Sequence, residues 1–474
     1  MSAEESPVTD DLCFTPATEL APLIRRKELS PVELIDAVLA RIEACEPRVN
    51  AFATLTAERA REAAQRAEAA LMKGDAAGAL FGLPVTIKDL TETAGIPTQR
   101  GSHALKDHVP TKHAPVIPRL EEAGAIILGK TTTSEFGWSG VSHCPLTGIT
   151  SNPWKEGYNT GASSAGAGAA AAAGYGPLHQ GSDGAGSIRM PAHFSGIFGL
   201  KPTYGRVPNW PVQNNDQVSH VGPMTRTVGD AALMLKSMAG PHPWDHTSLE
   251  APPADYPARL DDGIAGLKVA FSPDLGHARV DPDVAALVQS AADAFQSLGC
   301  RVESPALPFG PEGPEIIRLL WPIHLHGYRP LLAEFEERMD PGLVACIRSA
   351  EGMTGATYIE TRARKLAYVE AVHRFFEDWD LLLTPAVSVP AFPAERLQPE
   401  HWPSHPWDWI MWAEFSYPFN FSQNPAASVP CGFTDGGLPV GLQIVGKRFA
   451  DLAVLQAARA FEQARPWADK RPAL

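Results

Sequence analysis

The 474-residue chain is short of cysteine, of positive charge and of long apolar runs. Its six cysteines, at 13, 45, 144, 300, 346 and 431, are scattered and form no Cys-x-x-Cys pair. That spacing argues against a cysteine-based zinc site, and no metal is expected. A disulfide framework is also not expected at this length, so reduced thiols in the cytoplasm are the expectation. The 54 acidic residues outnumber 40 basic ones and leave a net charge of −14. Nucleic-acid binding needs a clustered basic surface, so no nucleic-acid partner is expected. The most apolar small-residue stretch, 161–176, is too short and too rich in Gly and Ala to span a bilayer. The start, Met-Ser-Ala-Glu-Glu-Ser, is acidic and lacks the basic and apolar parts of a signal peptide. Gly-x-Ser-x-Gly is missing too, which argues against an α/β-hydrolase nucleophile elbow.

What is present describes a soluble protein with a large core: 44% hydrophobic and 20% charged residues. Ser30-Pro31-Val32-Glu33 is a capping box, followed by Leu34, Ile35, Val38, Leu39 and Ile42 at helical spacing. An Ala- and Glu-rich helix is expected from about Thr56 to Lys73, closed by Gly74. From residue 81 short apolar runs alternate with helical segments. Val85–Ile87 and Ala125–Leu128 read as buried strands, and Leu267–Phe271, Cys300–Val302 and Leu381–Leu383 as further strand segments. Helices are expected around Pro115–Glu122, after Asp281-Pro282, from about Thr357 to Asp378 and at Asp451–Gln463. This alternation predicts an α/β fold with a mixed, twisted sheet covered on both faces by helices. A single domain over 1–474 is expected, since the Pro-rich stretches 240–265 and 384–408 read as surface loops. Its parts are N-terminal helices at about 15–75, a core at about 81–230, and a remainder that completes the sheet and a substrate funnel.

Three small features carry the chemistry. Leu-Pro-Val-Thr-Ile-Lys-Asp (83–89) ends a buried strand on Lys88. A lysine desolvated there has a lowered pKa and can accept a proton. Gly-Ala-Ser-Ser-Ala-Gly (161–166) is a loop of small residues leading into an alanine run, so it is expected to end at a helix N-terminus. Gly-Ser-Asp-Gly-Ala-Gly-Ser-Ile-Arg (181–189) is a second small-residue turn. Its Gly184, Ala185, Gly186 and Ser187 can present backbone N–H groups to an oxyanion. Asp183 and Arg189 flank Ser187 as a supporting ion pair. A serine hydroxyl needs a base within hydrogen-bond reach to become a nucleophile.

Gly124 to Thr131 formally satisfies the P-loop pattern, but its intervening Ala-Ile-Ile-Leu is a strand, which argues against phosphate binding. His143, His179, His193 and His220 lie near the motifs and read as surface or pocket-lining residues. His324-x-His326 lacks further ligands at metal spacing.

Lysine, serine and serine in this order resemble the amidase signature family. Asn152-Pro153-Trp154, Gly199-Leu200-Lys201-Pro202-Thr203 and Leu438-Pro439-Val440-Gly441-Leu442-Gln443 also match it, so the resemblance spans nearly the whole chain. The resemblance implies a Ser–Ser–Lys triad with Ser187 as nucleophile, Ser163 after a cis peptide as the bridge and Lys88 as base. It implies no cofactor, an acyl-enzyme, and Gly137, Trp138 and Ser139 as substrate-binding positions. Ala162, Ala165 and Gly184-Ala185 depart from the usual pattern, which moves side-chain bulk beside the pocket but removes no backbone N–H.

The resemblance offers two functions. One is a standalone hydrolase of small-molecule amides, aryl or hydrophobic, with carbamate (urethane) and ester side activity, working as a monomer or homodimer. The other is an amidotransferase component that generates ammonia from glutamine in tRNA-dependent transamidation. Thr203–Val207 and Gly222–Thr227 are close to that branch. The carboxylate it uses to hold the glutamine amine, however, aligns near Tyr417. Trp210 could reach the pocket or pack on the surface. The aromatic stretch 402–421 could wall a funnel or pack on the core.

Overall fold

Burial of the apolar runs fixes the architecture. The computed structural model describes residues 7–474, and the acidic Met1–Ser6 start lies outside them. Eleven strands form one sheet: β1 Phe52–Leu55, β2 Pro84–Lys88, β3 Ile126–Thr131, β4 Leu178–Asp183, β5 Phe198–Lys201, β6 His220–Thr225, β7 Lys268–Phe271, β8 Arg301–Glu303, β9 Leu381–Pro385, β10 Ala426–Phe433 and β11 Pro439–Gly446. Their spatial order is β1-β3-β2-β4-β6-β5-β10-β11-β9-β7-β8. β2 pairs in parallel with β3 and β4, and β7 with β8 and β9, while the remaining pairings are antiparallel. The sheet is therefore mixed, as the alternation predicts. Strands buried along their whole length, such as β2, β3, β9 and β11, are covered on both faces.

The helices used below are α1 Pro31–Val49, α2 Ala57–Lys73, α3 Ala165–Ala173, α4 Arg189–Ser195, α5 Gly313–Leu325, α6 Pro341–Ser349, α7 Gly355–Asp378, α8 Tyr417–Phe421 and α9 Asp451–Ala464. The capping box forms: Ser30 Oγ accepts from Val32 N and Glu33 accepts from Ser30 N. α2 buries Ala60, Ala64 and Leu71 and stops at Gly74 in the left-handed region. α7 begins two residues before the expected Thr357 because Thr354 caps it. The P-loop look-alike is strand β3, with Gly129 pressed against Thr54 O of β1. No helix among the described residues is long and apolar enough to cross a membrane.

An apolar cluster lies between the sheet and helices α5, α6 and α7. It absorbs the aromatic stretch: Trp402, Trp409, Trp412, Phe415, Tyr417, Phe419 and Phe421 are all buried. Those rings are core rather than the wall of an open funnel. Trp210 packs on the exposed Trp244, with ring centroids 5.2 Å apart.

Candidate active site

Lys88 is the last residue of β2 and Asp183 the last of β4. The strands are parallel neighbours with Ile87 opposite Gln180, so both ends open on one edge of the sheet. Open α/β sheets bind ligands at such edges. β2 is tied there further by Lys88 N donating to Gln180 Oε1 at 3.1 Å. The Gly161–Ser164 loop runs into the N-terminus of α3 at the same edge, and the 184–188 turn connects β4 to α4.

Lys88 is fully buried, and four oxygen atoms surround its Nζ: Ser163 Oγ at 2.8 Å, Ser164 Oγ at 2.9 Å, Ser182 Oγ at 3.1 Å and Ser182 O at 3.2 Å. Ser164 Oγ donates to Ser182 O at 3.1 Å, so towards Lys88 it is an acceptor. Burial pushes Lys88 well below its ordinary 10.5, and the more distant Asp183 carboxylate only partly opposes this. The Ala162–Ser163 peptide is cis. Ser187 is 5% exposed, and its carbonyl accepts from Ser164 N at 3.2 Å. Its hydroxyl has no hydrogen-bond partner among the described residues. The structure thus joins Lys88 to Ser163 and sets Ser187 beside the same loop with its hydroxyl unengaged. Catalytic hydrogen bonds are often long before substrate binds.

The 184–188 turn is held from behind. Asp183 and Arg189 are both fully buried, and Arg189 Nε and Nη2 each donate to the Asp183 carboxylate at 2.9 Å. Arg189 also donates to Gln443 Oε1, Asn420 Oδ1 and Ser416 O, at 2.8, 2.6 and 2.9 Å. Burial alone would raise the Asp183 pKa, but the guanidinium outweighs it and keeps the carboxyl ionised. That carboxylate collects Gly186 N–H at 2.7 Å and Ile188 N–H at 3.2 Å. Here the expectation for the turn is corrected: Gly186 N–H is spent on Asp183 and is not free for an oxyanion. Gly186 has φ +115, and a Cβ there would sit 2.5 Å from Ser416 Oγ, so a side chain is excluded twice over.

The three pocket-lining expectations separate. Gly137 does reach the site, since a Cβ built on it would lie 3.1 Å from Ser163 Oγ. Trp138 is fully buried and its indole packs on Gly342 of α6. Its carbonyl accepts from Trp321 Nε1 at 3.0 Å and Trp409 Nε1 at 2.9 Å. Trp138 Nε1 itself is buried with no hydrogen-bond partner among the described residues. Ser139 is likewise enclosed, at 1% exposure.

The histidines are engaged elsewhere. His179 bonds Thr86 and Gly176 O, and His193 bonds Val389 O and Gly441 N. Burial lowers both to about 4. His220 bonds Val218 O at 2.7 Å, and His143 bonds Ala394 O at 2.6 Å. His324 faces Asp216 at 3.6 Å.

Removing one member of a fully buried ion pair leaves the other charge uncompensated, at a cost of about 3–5 kcal/mol. Arg189→Met should therefore lower unfolding free energy by about that much, read from urea melts at neutral pH. A loss under about 1 kcal/mol would show that the pair does not hold the turn.

This sheet, with a buried lysine and a serine loop at its edge, is that of an amide-hydrolysing enzyme, as its family and relatives show. The chain belongs to the amidase signature family, whose model, described as Amidase, matches residues 33–455. It is 38% identical to an acylamidase of Rhodococcus erythropolis over 485 residues, covering 98% of each chain. It is also 36% identical to a glutamyl-tRNA(Gln) amidotransferase subunit of Moorella thermoacetica, over 98% of this chain and 99% of that one. Among solved structures, a bacterial aryl acylamidase of the amidase signature family superposes with a TM-score of 0.89 at 30% identity, covering 96% of this chain and 97% of the other.

Proposed function

We propose that the chain hydrolyses carboxylic amides through an acyl-enzyme, with Lys88 as base, Ser163 as bridge and Ser187 as nucleophile. The observation that carries this reading is the fully buried Lys88 Nζ, 2.8 Å from Ser163 Oγ. A neutral amine has two N–H bonds and one lone pair. The N–H bonds suit Ser164 Oγ and Ser182 O, which leaves the lone pair for the Ser163 hydroxyl proton. As Ser187 Oγ attacks the carbonyl carbon, its proton passes to Ser163 and that of Ser163 to Lys88. The amides of Gly184, Ala185 and Ser187 stabilise the oxyanion, with the turn stiffened by Gly186 N–H on Asp183. Ser163 then returns a proton to the leaving nitrogen and the C–N bond breaks. Water releases the acid by the same route in reverse.

Aryl or hydrophobic amides are the substrate class, with carbamates and esters as side substrates because they pass through similar tetrahedral intermediates. The acylamidase and aryl acylamidase likenesses support this. The enzyme works in the cytoplasm as a monomer or homodimer, without RNA or partner proteins. Amidotransferase activity is the second reading, favoured by the relatives of that name. Against it, the carboxylate of that branch aligns near Tyr417, whose phenol is buried with no hydrogen-bond partner among the described residues.

The purified chain alone should hydrolyse an anilide faster than glutamine, with measurable turnover of an aryl carbamate and an aryl ester. Activity confined to glutamine, and only with added partner proteins and charged tRNA, would establish the second reading instead.

A further inference from the structure

The short turn Glu135–Gly137 is an unusual way to reach a catalytic hydroxyl. Two consecutive residues are left-handed: Phe136 at φ +51 and Gly137 at φ +76. A non-glycine residue in this region persists only where its surroundings over-determine it, and such residues gather at functional sites. Here the surroundings are explicit. Phe136 N donates to Arg100 O at 2.8 Å, Gly137 N to Ser134 O at 2.8 Å, and the Phe136 ring stacks on Tyr328 at 4.2 Å. The turn delivers the Gly137 backbone against Ser163 Oγ, on the side where a Cβ would be 3.1 Å away.

Glu135, where the turn starts, is fully buried, yet no lysine or arginine forms an ion pair with it among the described residues. Its Oε1 accepts from Ser102 Oγ at 2.6 Å and its Oε2 from the backbone N–H of Asp340 at 2.7 Å. Asp340 caps α6 through Gly342 N at 2.8 Å and lies 3.3 Å from His143 Nε2. A buried carboxylate held only by neutral donors is costly, and burial pushes it up to about 7. Its two oxygen atoms reach the 102 loop and the N-cap residue of α6, over two hundred positions away in the chain. No step of the proposed chemistry uses it.

We propose that Glu135 is a positioning residue for Ser163: by pinning the turn to Ser102 and to the N-terminus of α6, it holds Gly137 against the bridging hydroxyl and fixes that hydroxyl's direction towards Lys88. This rests on the reading of Ser163 as the bridge. It also makes α6 and the aromatic layer beneath it part of the geometry of proton transfer, since Trp138, next in the chain, is locked into that layer.

The test is a double-mutant cycle between Glu135→Gln and Ser163→Ala, assayed on an activated aryl ester so that slow variants remain measurable, with melting temperatures recorded. A glutamine keeps the size but offers only one acceptor to two donors. Displacing a reacting group by about 1 Å costs on the order of 10²-fold in rate. Glu135→Gln should therefore lower kcat by about 10- to 100-fold with KM within about 3-fold. In the Ser163→Ala background it should add less than about 2-fold, because coupled residues are not additive. Equal losses in both backgrounds, or an undiminished kcat, would overturn the proposal. If Glu135→Gln does not fold, Ser102→Ala decides: it removes one bond to the carboxylate and should lower kcat only where Ser163 is present. Full activity of Ser163→Ala by itself would refute the bridge, a different failure from additivity in an impaired Ser163→Ala enzyme.

Discussion

Ser187→Ala should lose turnover on the order of 10⁴- to 10⁶-fold, as loss of a serine nucleophile does in other hydrolases, with the melting temperature little changed. The side chain is one hydroxyl with no partner among the described residues, so its removal leaves no buried group unpaired. Binding should survive, because the turn is held by Asp183 and Arg189 rather than by Ser187. The loss should therefore fall on kcat, with KM nearly constant for a slow anilide. A fluorophosphonate probe should leave its adduct on the peptide carrying Ser187. The rival nucleophiles are close: Ser163 and Ser164 both lie within 2.9 Å of Lys88 Nζ. An adduct on either, or a Ser187→Ala enzyme with substantial turnover, would reassign the nucleophile. Ser164 is the weaker rival, since its hydroxyl proton is committed to Ser182 O.

Much of this site was legible because its residues sit at points where local rules are strict. Lys88 ends a run of apolar residues, and a charged group at such a place is either exposed or functional. The two small-residue loops advertise close backbone approach. Parallel pairing of β2 with β4 then converts separations of 75 and more positions into contact at one sheet edge. The partners that make the site rigid are only partly legible. Ser182 reaches Lys88 because alternate residues of β4 share a face, a signal available from period-two reading of Gln180 and Ser182. Asn420 and Gln443 meet Arg189 from more than two hundred residues away, through pairings that no local pattern encodes. Gly186 N–H was misassigned for a similar reason: composition shows that an amide is accessible, but only geometry shows that a carboxylate has taken it. The resemblance gives Trp138 a pocket-lining position, while only the structure shows that Trp321 and Trp409, far along the chain, both donate to its carbonyl. In α5 the apolar spacing is interrupted by Pro322 and His324, which hides the helix from a periodicity reading.

A base that must be neutral to work makes activity depend on pH in a definite sense. Burial holds Lys88 well below 10.5, so the enzyme is active once pH exceeds that lowered value, and turnover falls on the acid side as Nζ takes a proton. Lys88→Ala should remove this limb along with most of the activity. Lys88→Arg should be equally inactive at every pH, because a guanidinium keeps its proton and cannot serve as a base. Stability gives an independent reading of the same group. Between the folded value and the unfolded one of about 10.4, the unfolded chain binds a proton that the folded chain refuses. Lys88 therefore costs stability at lower pH, and that cost fades as pH rises, by about 1.4 kcal/mol per pH unit within the window. Relative to Lys88→Met, which carries no titrating group, the wild type should gain stability with that slope in urea melts taken at increasing pH. His179 and His193, lowered to about 4, add slope of the same sign only below about 6.5, and that part cancels in the comparison because both proteins carry them. Equal pH dependence in the two proteins would mean that Lys88 is protonated in the fold and cannot be the base. So would an Arg variant that keeps turnover.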